Sequence, residues 1–311
     1  WAFANDITTS GEAERMYGVV GLGGVVGGFV GATVVTSLVE QAGRASLLVG
    51  LLAPLAAIGA LAFWIDRRVR RRKEEEPDVA SEDDDGSAEQ AEDEDGTAGA
   101  VWRGGQLVLG SKYLLGIAAV LGLYEVVSNI SYFQLSTVVE QVVQGDAAKD
   151  AFFGQLGQIT GLVSIGVQLF GTTFVLRNFG VGAGLLALPA MVLMGSVGFL
   201  VVPTLLLASF TRVSDNSLNY SINQSAKEAL YTPTSQEAKY KAKAFIDMFV
   251  QRAAKVLAVG INLALSVLVV VHVRWLSVVS VGIIFGWLLV VRYLAREFRA
   301  RADEPAEVAA V

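Results

Sequence analysis

The chain has 311 residues, 53% of them hydrophobic and 17% charged, with 33 glycines and a mean hydropathy of +0.52. That balance excludes an ordinary soluble domain and fits a polytopic membrane protein, while the absence of cysteine removes disulfide, thiol and cysteine–zinc chemistry. The net charge of −6 is local in origin: Glu74 to Asp95 holds thirteen acids and no base, the remainder is net basic, and the acidity therefore identifies no partner.

The chain opens at Trp1 with neither Met nor a signal peptide, and it reads as a piece of a longer protein whose preceding helices are expected to be its partners. Eight apolar segments approach the roughly 20 residues that a membrane span requires. They lie near 16–39, 45–65, 111–139, 151–176, 181–200, 203–224, 244–271 and 275–295. The first carries the pairs Gly23/Gly27, Gly24/Gly28 and Gly27/Gly31, a spacing that lets helix backbones approach closely. Gly21 and Gly23 also suggest part of a dinucleotide fingerprint, but no strand precedes them, so close packing is the reading adopted. Pro54 and Pro189 fall inside spans and predict kinks, and Pro203 is expected to open the sixth helix after Val201 and Val202.

The expected fold is an all-α membrane protein. Residues 1–65 supply two spans, 66–104 an acidic disordered connector, 105–300 a six-helix half and 301–311 a tail. The connector has almost no apolar content and cannot bury a core. Basic residues cluster after the second segment (Arg67 to Lys73), after the fourth (Arg177), after the sixth (Lys227, Lys239, Lys241, Lys243) and at the end (Arg292, Arg296, Arg299, Arg301). The alternate loops hold only Arg44, Lys149 and Arg274. This bias puts the connector and the C terminus in the cytoplasm of an integral membrane protein, expected in a bacterial inner membrane. Two spans, a long charged connector and six more spans match the last eight helices of a twelve-helix transporter built from two six-helix halves.

Polar residues inside such segments are costly and mark candidate sites. On the third segment Glu125, Ser128, Asn129, Tyr132 and Ser136 share a stripe, and Glu125 lies near mid-membrane, where it could couple proton movement or pair with Arg212 or Lys255. On the sixth, Arg212, Asp215, Asn216, Asn219 and Asn223 fall on one stripe about 120° wide at 100° per residue. Two readings stand: a pore wall that holds an anionic, hydrogen-bonding solute, or interhelical glue in which Arg212 and Asp215 neutralise one another at i,i+3. On the seventh, Asp247, Gln251, Lys255 and Asn262 lie within about 80° of each other, with Arg252 three residues before Lys255. Arg offers phosphate a bidentate fork and Lys a point charge, whereas Asp247 could instead pair with a loop lysine. Gln155, Gln158 and Gln168 are weaker candidates, and His272 marks an outer helix end. No catalytic triad, metal cluster or phosphate loop is visible, so neither an enzyme nor a cofactor is expected, and no nucleic-acid partner.

Two stretches carry a family resemblance. Trp1, Phe3-Ala4-Asn5, Glu12-Ala13, Arg15, Tyr17, Gly21 and Gly23 form one. Tyr220-Ser221, Lys227-Glu228, Tyr231-Thr232-Pro233, Lys239-Tyr240-Lys241-Ala242-Lys243, Asp247, Arg252 and Lys255 form the other and more specific one. The sequence resembles the ATP:ADP antiporter family, the Tlc or plastid-type nucleotide transporters, which are similar to the major facilitator fold. The resemblance implies exchange of adenine nucleotides by alternating access, with Lys227 and Glu228, Arg252 and Lys255 among the functional residues. Asn219, Gln224 and Ser225 stand where the exchangers of energy parasites favour Lys, Asp and Pro, and Tyr132 about where they carry a Glu. Fewer cavity charges imply a weaker hold on a highly charged anion. The alternatives are a proton-coupled transporter of another solute through Glu125, and a non-transporting scaffold whose acidic connector recruits a partner.

Overall fold

A computed structural model describes residues 22–24, 26–34, 36–37, 50, 52–75, 97–231, 233–234, 238–265 and 272–302. The first resemblance stretch lies outside these residues except Gly23, and so does the acidic run from residue 76 to 96. Every regular element among the described residues is helical, as a lipid-facing chain requires, because a helix satisfies its own backbone groups.

The helices in order are α1 (Leu22–Val34), α2 (Leu52–Glu75), α3 (Thr97–Gly110), α4 (Lys112–Val142), α5 (Asp146–Gly166) and α6 (Thr172–Val201). They continue with α7 (Leu205–Leu218), α8 (Gln224–Leu230), α9 (Gln251–Leu263) and α10 (Leu276–Ala302). Three helical stretches are long and apolar enough to cross a membrane, Lys112–Val142, Phe174–Val201 and Val273–Arg301, and the shorter apolar helices Leu22–Val34 and Leu52–Ile65 are further candidates. π-helical turns at Val167–Gly171 and Asn219–Asn223 join α5 to α6 and α7 to α8 as near-continuous rods, and two more, Ala238–Ala242 and Ile246–Val250, lead into α9.

Capping residues explain several boundaries. The Ser111 side chain accepts from the Leu114 amide to start α4, and Thr204 accepts from Leu207 to start α7. Pro203 therefore precedes the cap instead of opening the helix. In α6 the chain passes through Pro189, and the recorded departure from helical geometry is at Gly180, whose φ of 78° suits a residue without a Cβ. α2 extends to Glu75 and α3 begins at Thr97, so helix reaches into both ends of the charged connector.

α4 is the central post. It packs on α7, α9 and α10, while α6 packs on α7 and α10. One apolar core joins Tyr113, Ile117 and Leu121 of α4 to Leu185 and Leu188 of α6 and to Trp287, Val291 and Leu294 of α10. A second gathers Ile130, Leu135 and Val139 with Phe199, Ala254, Ala258 and Leu276 toward the other end. Between lipid-facing helices this packing is held by close contact and interhelical hydrogen bonds, since lipid supplies little hydrophobic drive. The Gln134 amide donates to the Val273 carbonyl (3.1 Å) and to Ser277 (2.9 Å), and the Tyr113 hydroxyl donates to the Leu230 carbonyl (2.7 Å). α1 lies against α5: a Cβ at Gly157 would come within 2.9 Å of Ala32, and one at Gly161 within 2.8 Å of Phe29. Here the small residues belong to α5, and the glycine face of α1 is open.

Candidate functional site

Where α4, α7 and α9 meet, their polar stripes converge. A cavity of about 200 Å³ is lined by Tyr124, Glu125, Ser128, Asn129 and Tyr132 of α4, by Arg212, Asn216, Asn219 and Tyr220 of the α7 rod, and by Lys255 of α9. Its neighbour, about 730 Å³, shares Tyr132, Arg212, Asn216 and Tyr220, and extends to Gln224, to Thr160 and Ser164 of the α5 side, and to Gly24 and Gly28 of α1. That size is in the range of small-molecule sites.

Arg212 is anchored on one side and open on the other. Its Nη1 donates to Asp215 Oδ2 at 3.0 Å and to Ser128 Oγ at 3.3 Å. The Ser128 hydroxyl donates to the same carboxylate oxygen at 2.6 Å, across from α4. Asp215 is only 1% exposed, so the pair is formed inside the bundle. The Arg212 guanidinium also lies 5.0 Å over the Tyr132 ring, a cation–π distance. Arg212 is thus tied to Asp215 and also lines the cavity.

Across the cavity Lys255 Nζ lies 3.7 Å from Glu125 Oε2, and its side chain keeps 53% exposure. Of the two partners open to Glu125 in the sequence, the nearer is Lys255. Asn129 donates to the Glu125 carbonyl at 2.7 Å, one turn back along α4. The α7 stripe divides at its π-turn. Asn219 and Tyr220 face the cavity, whereas Asn223 is buried and donates to Asn219 Oδ1 at 3.0 Å.

The remaining candidates form a separate cluster beyond the π-turn, or stand apart. Lys243 Nζ reaches Glu228 Oε2 at 2.7 Å, and Gln224 donates to the other Glu228 oxygen at 3.2 Å. Lys227 Nζ sits 6.0 Å over the Tyr124 ring. Burial pushes the Lys227 ammonium below the ordinary lysine range, opposed by the charges of Asp247, Glu228 and Glu125. Gln251 donates to Asp247 at 3.0 Å. Arg252 is exposed, about 200° round from the Ala254 and Ala258 face that packs on α4, and it lines neither cavity. His272 caps the short helix Val273–Trp275 by accepting from the Arg274 amide. Among the described residues no group of His, Cys, Asp and Glu could hold a metal.

Sequence reasoning passed over Tyr124, Thr160 and Ser164. Tyr124 stands one turn before Ser128 on the same stripe, so helical periodicity could have found it. Thr160 and Ser164 carry hydroxyls that bond the preceding turn of their own helix, which leaves no charge pattern to notice.

A family model described as Major Facilitator Superfamily matches residues 2–228, and one described as TLC ATP/ADP transporter matches residues 200–298. The chain is 26% identical to ADP,ATP carrier protein 1 of Chlamydia trachomatis, over 100% of this chain and 64% of that protein. It is 23% identical to ADP,ATP carrier protein 2, chloroplastic, of Arabidopsis thaliana, over 98% of this chain and 52% of that protein. It is 24% identical to the Plastidic ATP/ADP-transporter of Solanum tuberosum, over 80% of this chain and 42% of that protein. The chain thus spans less than two thirds of the length of these relatives. The matches are to carriers and not to enzymes, and no solved structure matches.

Proposed function

Because this chain belongs to the Major Facilitator Superfamily, we propose that it is part of an integral membrane transporter that moves an anionic phosphorylated solute, an adenine nucleotide, by alternating access. The observation that carries the reading is the pair of cations, Arg212 and Lys255, on opposite walls of one polar cavity within apolar helices. Neither is placed for lipid contact alone. Arg212 holds Asp215 and Ser128 through Nη1 alone while bordering open space, and Lys255 is held loosely enough for a phosphate oxygen to compete with Glu125. Asn129, Asn216 and Asn219 supply hydrogen-bonding groups around the same space. In this reading the eight spans belong to a twelve-helix protein whose connector and C terminus are cytoplasmic. The Lys227, Glu228, Lys243 and Asp247 cluster would be a charged latch beyond the solute.

The test is exchange. The protein carrying this chain is reconstituted in liposomes, preloaded with ADP and offered labelled ATP. Uptake well above empty vesicles is expected, and none from a preparation of demonstrated fold would reject the reading.

A second reading rests on Glu125, a largely buried carboxylate beside Lys255: a transporter of the same fold driven by protons. It requires uptake that collapses with an uncoupler and in Glu125→Gln. Exchange that survives both would remove it. Residues 76–96 of the acidic connector, on which a scaffold role would rest, lie outside the described residues.

A further inference from the structure

The larger cavity is not a second phosphate site. It reaches away from Lys255, and Arg212 is the one Lys or Arg among its lining residues. Its lining includes three aromatic rings, Tyr132, Phe153 and Tyr220, of which Tyr132 and Tyr220 are 47% and 64% exposed. Gly24 and Gly28 of α1 line it too, and a Cβ at either would meet nothing within 4 Å. Exposed rings beside glycines that leave open space suit a planar ring. Two primary amides, Asn216 and Gln224, line the cavity as well and present paired donors and acceptors of the kind that reads a purine edge.

We propose that this slot is the nucleobase subsite, with Tyr132 and Tyr220 as stacking platforms and Asn216 and Gln224 as edge-reading groups. The inference rests on the nucleotide reading above and adds a division of labour to it. The small cavity takes the phosphates between Arg212 and Lys255, the large one takes the base, and Arg212, Tyr132, Asn216 and Tyr220 form the join because they line both. Arg212 already covers one face of Tyr132, so Tyr220, the more exposed ring, carries more of the stacking.

The experiment compares ATP with tripolyphosphate, which has the charge and lacks the base, by calorimetry on the purified protein. Wild-type protein is expected to bind ATP at least about tenfold more tightly than tripolyphosphate, the size of a single base–aromatic stack. Tyr220→Leu should weaken ATP about tenfold and leave tripolyphosphate within about twofold, Tyr132→Leu should do the same to a lesser degree, and Tyr220→Phe should retain ATP affinity. Equal binding of the two ligands by wild type overturns the subsite while leaving the phosphate reading intact, and needs no variant to fold. Equal loss of both ligands in Tyr220→Leu also overturns it, since that is the mark of a packing role. Binding of neither ligand by folded wild type would sink the nucleotide reading, and the subsite with it.

Discussion

The two ion pairs at the cavity are built on opposite plans. Arg212 and Asp215 lie on one rod, 3.0 Å apart, with the carboxylate 1% exposed and a serine from α4 closing the contact. Lys255 and Glu125 reach toward each other from different helices, 3.7 Å apart, and the lysine keeps 53% exposure. In the first pair the carboxylate is sealed while the guanidinium borders the cavity, so Asp215 and Ser128 hold Arg212 in place whether or not a solute is present. The second is open and spans the α4–α9 boundary, so an arriving anion can replace Glu125 as the partner of Lys255. The contrast assigns a positioning role to one and an exchangeable role to the other, and each half can be broken separately.

The largest effect is expected at the sealed pair. Asp215→Ala leaves the Arg212 guanidinium and the Ser128 hydroxyl without their common acceptor in a dry part of the bundle. Truncating one partner of a buried pair costs about 3 kcal/mol or more, so the variant should unfold at markedly lower temperature with or without nucleotide. A melting curve unchanged from wild type would mean that water or another acid neutralises Arg212, and the pair would not be sealed. Lys255→Ala should behave in the reverse way. An exposed, loosely paired lysine contributes at most about 1 kcal/mol to folding, so melting should hardly move, while nucleotide affinity should fall about tenfold, as for one charge-assisted contact. Lys112→Ala, at the exposed start of α4, is the control. Equal losses in the two variants would take Lys255 out of the site. Glu125→Gln should be milder still. It removes the anion that competes for Lys255, so nucleotide affinity is expected to rise about threefold, and weaker binding would mean that the carboxylate orients the lysine instead of competing.

The sequence carried part of this arrangement because one of the three stripes lies on unbroken α-helix. On α4 the spacing groups Glu125, Ser128, Asn129, Tyr132 and Ser136, and the first four line the cavity while Ser136 lies beyond it, bonded to the Tyr132 carbonyl. The α7 stripe was only half legible. Its angles assume 100° per residue through Asn223, but the π-turn at Asn219–Asn223 inserts extra backbone, and the register beyond it rotates. Asn223 consequently turns inward onto Asn219. The same happens before α9, where the π-turn Ile246–Val250 separates Asp247 from the face that carries Lys255. The slot between α1 and the two tyrosines was illegible for a different reason: it is formed by segments some two hundred residues apart, and neither tyrosine departs from what a membrane interface would carry.

The smallest effect is expected at Arg252, and it bears on the comparison most directly. Arg252 belongs to the second resemblance stretch and lies three residues before Lys255, so charge alone would give both the same weight. Their surroundings differ: Lys255 lines the cavity beside Glu125, while Arg252 points away from the α4-packing face and no ion pair reaches it among the described residues. If contact with the cavity decides function, Arg252→Ala should change nucleotide affinity by less than about twofold, because screened charges at that remove interact weakly. A loss as large as that in Lys255→Ala would show that α9 turns by about 60°, the offset of an i,i+3 pair, toward the solute in a further state of the transport cycle. The two cations would then act in turn from neighbouring positions of one helix, and the open pair with Glu125 would be the resting arrangement of a turning element.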